Sequence, residues 1–150
     1  MNNPVITWFV KEDDGVYTAH TNYYAGSCNP NEDFYIELEV WNNRWNNTED
    51  VKNAENAEFI LTFENAEDSS LLLLCEAKVG EGDFNKINLT DFNKGSISLG
   101  TLSGGRNTGV LSHTDNYRRI TLKFSNVPGN FKEGLKSMIA YIDYDIRGSK

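Results

Sequence analysis

Between Phe34 and Trp41 the chain alternates without a break. Phe34, Ile36, Leu38 and Val40 fall on one side, and Tyr35, Glu37, Glu39 and Trp41 on the other. Successive side chains of an extended strand point to opposite faces, so the pattern specifies a strand with one dry and one wet face. It does not match the 3.6-residue period of a helix. The same period returns near the C-terminus in "YRRITLKFSNV", with Ile120, Leu122 and Phe124 against Arg119, Thr121 and Lys123. It returns again in "SMIAYIDYDI", with Met138, Ala140, Ile142, Tyr144 and Ile146 against Ile139, Tyr141, Asp143 and Asp145.

Other segments extend this reading. "VITWFV" (Val5 to Val10) and "VYTAHTNY" (Val16 to Tyr23) flank an Asp14-Gly15 step, a strong hairpin signal because glycine accepts positive φ. "EDVKNAENAE" breaks the alternation and is expected to form one or two helical turns. "FILTFE" (Phe59 to Glu64) and "LLLLCEAKV" (Leu71 to Val79) are expected strands joined by the polar turn "NAEDSS". The near-continuous apolar start of the second places it centrally. "INLTDF" and "SISLGTL" are shorter strands separated by "NKG". About nine strands with at most one short helix predict an all-β fold: a two-sheet antiparallel β-sandwich, jelly-roll or immunoglobulin-like. The length of 150 residues, with no visible linker, is read as one domain over residues 1–150.

Charge narrows the partners. With 22 acidic against 14 basic residues and a net charge of −8, the chain repels phosphate backbones, so nucleic acid is not expected. No apolar run approaches the length of a membrane span. The opening "MNNPVITWFVKEDDG" lacks the basic and apolar regions of a signal peptide, which predicts synthesis in a cytoplasm without export by that route. Cys28 and Cys75 are far apart in sequence and form no CxxC pair, and whether they bond is open.

No constellation of catalytic residues stands out. His20 and His113 lie in unrelated segments, and "GTLSGGRNTG" (Gly100 to Gly109) lacks the ending of a phosphate-binding loop. The acid pairs Glu37/Glu39 and Asp143/Asp145 read as solvated outer-face charges. A structural calcium would need ligands from "EDD" (Glu12 to Asp14) or "DYD", without EF-hand spacing. The expectation is therefore a protein that is not an enzyme and carries no cofactor or metal.

The chemistry of recognition is better represented. "VWNNRWNN" (Val40 to Asn47) sets two tryptophans and an arginine among four asparagines. Both tryptophans are expected to cap the end of the sandwich and bury most of their area. Otherwise their flat rings stack on sugar C–H faces or meet a protein partner, with amides and guanidinium groups adding directional hydrogen bonds. The candidate binding residues are Tyr23, Tyr24, Trp41, Asn43, Arg44, Trp45, Arg106 and Tyr117. The expected function is a non-catalytic structural or recognition module, self-assembling or docking on protein partners as a subunit or decoration of a virus-like particle or another large surface assembly. The alternative is a carbohydrate-binding module that uses the aromatic–asparagine segment as its platform.

Overall fold

The computed structural model describes residues 1–12, 14–19, 29, 31–111, 115–127 and 138–146. Its described strands are β1 (Ile6–Lys11), β2 (Tyr17–Ala19), β3 (Phe34–Asn42), β4 (Ala54–Phe63), β5 (Cys75–Val79), β6 (Asn85–Lys86), β7 (Asn88–Asp91), β8 (Lys94–Leu102), β9 (Tyr117–Phe124) and β10 (Met138–Asp145). They form two antiparallel sheets, a six-stranded one in the order β2-β1-β3-β9-β5-β6 and a four-stranded one in the order β10-β4-β8-β7. The β-sandwich predicted from the alternation is the observed architecture.

The faces sort as the period-2 pattern requires. Ile36, Leu38 and Val40 of β3, and Ile120, Leu122 and Phe124 of β9, point inward. They meet Phe59, Leu61 and Phe63 of β4. Trp8 packs edge-on against Phe59 with centroids 5.8 Å apart, and Phe63 meets Phe124 at 6.5 Å. Each fully buried aliphatic or aromatic side chain here contributes about 1.5–3 kcal/mol. Arg118 of β9 bridges the two sheets, donating to the carbonyls of Leu99 and Thr101 in β8.

Three expectations fail, each for a local reason. "EDVKNAENAE" is no helix: its second half begins β4. Register shifts between Ala54 and Ala57 and between Ala57 and Glu58, with Asn56 at φ 49, make this stretch bulged. A bulge inserts an extra residue, so Ala54 and Ala57 are both buried at a three-residue spacing that imitates a helix. Leu71–Leu74 do not begin a strand but end a 3-10 helix, Ala66–Leu74, and β5 starts only at Cys75. A short apolar run carries too little period to separate the two states. β5 is also not central, since only the two-residue β6 lies beyond it.

Candidate functional site

The site grows from the outer face of the six-stranded sheet. Register places Phe9 opposite Glu39 and Thr7 opposite Trp41, and, on the other side of β3, Arg119 opposite Glu39 and Tyr117 opposite Trp41. Along β3 this face passes from wet to dry. Tyr35 is exposed and Glu37 half-buried, but Glu39 is 2% and Trp41 0% exposed. Trp41 thus lies on the outward phase of its strand but is buried, as expected of a tryptophan that caps the sandwich end, whereas Trp45 stays 54% exposed. The Trp41 side chain does point outward, but the chain folds back over it.

That fold-back is encoded in the residues after β3. Asn43 and Trp45 adopt positive φ, 56° and 52°, which reverses the chain and lays Arg44 and Trp45 over the sheet. Asparagine tolerates this conformation, whereas for tryptophan it costs about 1–2 kcal/mol and must be offset by contacts. The contacts are present. The Arg44 guanidinium lies 3.5 Å from the Phe9 ring centroid, 3.8 Å from that of Trp45 and 5.3 Å from that of Trp41. Trp41 stacks on Tyr117 at 4.7 Å and 18°, and meets Trp45 edge-on at 6.3 Å. A cation held against aromatic faces gains about 0.5–2 kcal/mol per ring, depending on desolvation. Burial lowers the Arg44 pKa from its ordinary value, and the nearby Glu39 charge opposes that.

Glu39 is the polar centre beneath the rings. Its Oε1 accepts from Trp41 Nε1 at 3.1 Å, and its Oε2 accepts from Arg119 Nε at 3.1 Å and also from Arg119 Nη2. A buried carboxylate is tolerable only when satisfied in this way. Arg119 loses hydration on burial, but its hydrogen bond to Glu39 and the neighbouring negative charges raise its pKa overall. The same guanidinium sits 4.5 Å from the Tyr17 ring centroid. Burial pushes the Tyr17 phenol up to about 12, against the pull of Arg119.

Behind this cluster the asparagines tie the end loops together. Asn42 Oδ1 accepts from Val5 N at 2.9 Å, and Asn42 Nδ2 donates to the carbonyls of Lys52 and Leu102. Asn43 Nδ2 donates to the carbonyls of Glu49 and Gly104, both at 2.9 Å. Asn107 Nδ2 donates to the Asn43 carbonyl, and Asn116 Nδ2 to those of Asn42 and Gly105. Gly104 passes so close to the Val51 and Lys52 carbonyls that a Cβ would overlap them. The asparagine richness is thus turn and brace chemistry. Four of the five described non-glycine residues at positive φ are asparagines, and Asn42, Asn43, Asn107 and Asn116 are buried.

The predicted residues are not all brought together. Trp41, Arg44, Trp45 and Tyr117 form one cluster. Asn43 lies beside it with its amide nitrogen engaged in the brace. Arg106 is on a separate loop, ion-paired to Asp50 at 3.4 Å. Tyr23 and Tyr24 lie outside the described residues, as do His20, Cys28 and His113. Cys75 is a free, buried thiol whose pKa burial pushes up to about 12. Sequence reasoning missed Phe9, Tyr17, Glu39 and Arg119 as members of the cluster. The only available signal was their phase on the outer face, which becomes informative once the strand register is known.

What this surface presents is Trp45, 54% exposed, resting on a rigid base. Gly109, at φ 79, lies against its indole, and a Cβ there would come within 2.5 Å of Cδ1 and Nε1. Val110 and Leu111, which follow, are exposed. Beside them runs a shallow polar groove of about 360 Å³, lined by Ser103, Arg106, Asn107, Thr108, Asp115 and Asn116 among others. Gly109→Ala is expected to unseat the indole and to destabilise the protein by about 1–3 kcal/mol, since it combines strained φ with overlap. A red shift of tryptophan emission together with a lower denaturant midpoint would check this, and unchanged emission would refute it.

Among the described residues no group of three histidine, cysteine, aspartate or glutamate side chains could hold a metal ion, and no helix is long and apolar enough to cross a membrane. No family model and no curated protein sequence matches this chain.

Proposed function

We propose that this chain is a non-catalytic recognition and assembly module, a subunit or decoration of a virus-like particle or another large surface assembly. It docks on a protein partner through the end of the sandwich that carries Trp45. The observation behind this reading is a half-exposed tryptophan, followed across Gly109 by exposed Val110 and Leu111, on a base locked by the asparagine brace. Large exposed apolar groups on a preorganised support mark contact surfaces, and tryptophan is the residue most often found at their energetic centre. The displaced pKa values of Tyr17, Arg44 and Cys75 follow burial, which fits a role in packing.

Density-gradient centrifugation of extracts from producing cells tests the reading. The 17.0 kDa chain should migrate with particles far above its own mass, and Trp45→Ala should move it to the top of the gradient with its fold intact. Wild-type protein that stays at monomer mass would end the proposal.

A second reading has one specific observation in its favour: Thr108 and Val110, on either side of the Gly109 that packs against the half-exposed indole, line a groove of hydroxyl, amide and carboxylate groups. That is the composition of a carbohydrate platform. A glycan array on which the wild type binds and Trp45→Ala does not, with no particle in the gradient, would favour it.

A further inference from the structure

Arg44 differs from the other described arginines. Arg106 pairs with Asp50, Arg118 donates to four backbone carbonyls, and Arg119 pairs with Glu39. Arg44 makes no hydrogen bond or ion pair with a described residue, and its Nε is buried without an acceptor. Its two Nη groups are not among the described buried atoms that lack a partner, and the residue as a whole is half-buried. Shortage of acids is not the reason, because the chain has 22 of them. Glu39, the nearby carboxylate, is taken by Trp41 and Arg119.

We propose that Arg44 and Trp45 together read a carboxylate: the side chain of an aspartate or glutamate on a protein partner, flanked there by an apolar residue. This deepens the assembly reading and rests on it for the partner being a protein. The guanidinium carbon lies 3.5 Å from the Phe9 ring centroid and 3.8 Å from that of Trp45, so the group is already partly stripped of water and held in place by ring contacts. A carboxylate meets the guanidinium as a planar two-oxygen acceptor, and little orientation or further desolvation of the arginine is needed. The partner's apolar neighbour has the exposed part of Trp45, with Val110 and Leu111, to cover. The aliphatic side chains of Val110 and Leu111 suit an apolar peptide residue better than a sugar ring.

The test uses the full chain on an array of immobilised short peptides that carry Asp or Glu beside Leu or Phe, with matched Asn and Gln peptides and glucuronate-bearing glycans. Acidic peptides should retain the wild type about tenfold better than their amide counterparts, and added salt should weaken the retention. Arg44→Gln should erase the preference. Arg44→Lys, which keeps charge without the fork, should retain only part of it, with thermal unfolding used to verify that both variants fold. Equal retention of acidic and amide peptides, no retention of either, or binding only to glucuronate glycans would overturn the proposal. The gradient separates this inference from the assembly reading. If Trp45→Ala leaves the particle while Arg44→Gln stays with it, assembly stands and carboxylate reading falls. An acid preference on the array without any particle gives the reverse.

Discussion

Asn42→Ala is expected to lower the stability of the protein by about 3–5 kcal/mol, although no hydrophobic group is removed. The native side chain serves three backbone groups at once: the Val5 N–H and the carbonyls of Lys52 and Leu102. The residue is fully buried, so water cannot replace the lost bonds. Each stranded group costs about 1–3 kcal/mol, and the sum is a large part of a typical domain's net stability. Urea unfolding should show a lower midpoint at unchanged slope. Asn42→Asp separates the contributions, since it keeps the acceptor for Val5 but puts a charge where two carbonyls expect a donor. It should be at least as damaging. A loss under about 1 kcal/mol in both variants would mean that the brace contributes little.

Trp41→Ala should cost a comparable amount, about 3–5 kcal/mol, the usual range for deleting a buried indole. Its consequences differ in kind. The indole is the floor on which Tyr117 stacks and against which Trp45 and Arg44 rest. Its N–H also satisfies one oxygen of the buried Glu39. Removing it opens a cavity on the outer face and leaves that oxygen without its donor. Trp41→Phe keeps most of the ring area and drops only the N–H, so it should cost about 1–2 kcal/mol. Near-UV circular dichroism checks the mechanism, because the stacked Trp41–Tyr117 pair is a strong source of aromatic signal. Trp41→Ala should flatten it and Trp41→Phe should weaken it. Native stability in Trp41→Ala would show that the outer face does not need its floor.

Much of the fold was legible because the deciding signal is local. The phase of β3, β9 and β10 follows from neighbouring residues alone, and it assigned the inward faces as the structure has them. What escaped needed information from beyond the window. The bulge at Asn56 spoils the period in β4, and the four leucines fit either a strand or a tight helix. The site was half legible. Trp41, Arg44 and Trp45 were marked by their types and their spacing. Whether Trp41 would be wet could not be read from its strand, because its covering comes from positive φ at Asn43 and Trp45 just beyond the strand end. Glu39 and Arg119 looked like ordinary outer-face charges until register set them side by side beneath aromatic rings.

The brace also has a kinetic consequence. Asn42 reaches Leu102 across 60 positions, Asn43 reaches the carbonyl of Gly104 across 61, and Asn116 reaches back to Asn42 across 74. Contacts this distant form only after most of the chain has been made and the loops between have closed, which is slow relative to local pairing. A nascent or truncated polypeptide therefore cannot display the finished tip, and its tryptophan stays without a seat. Completion of the tip therefore waits on pairing between residues up to 74 positions apart.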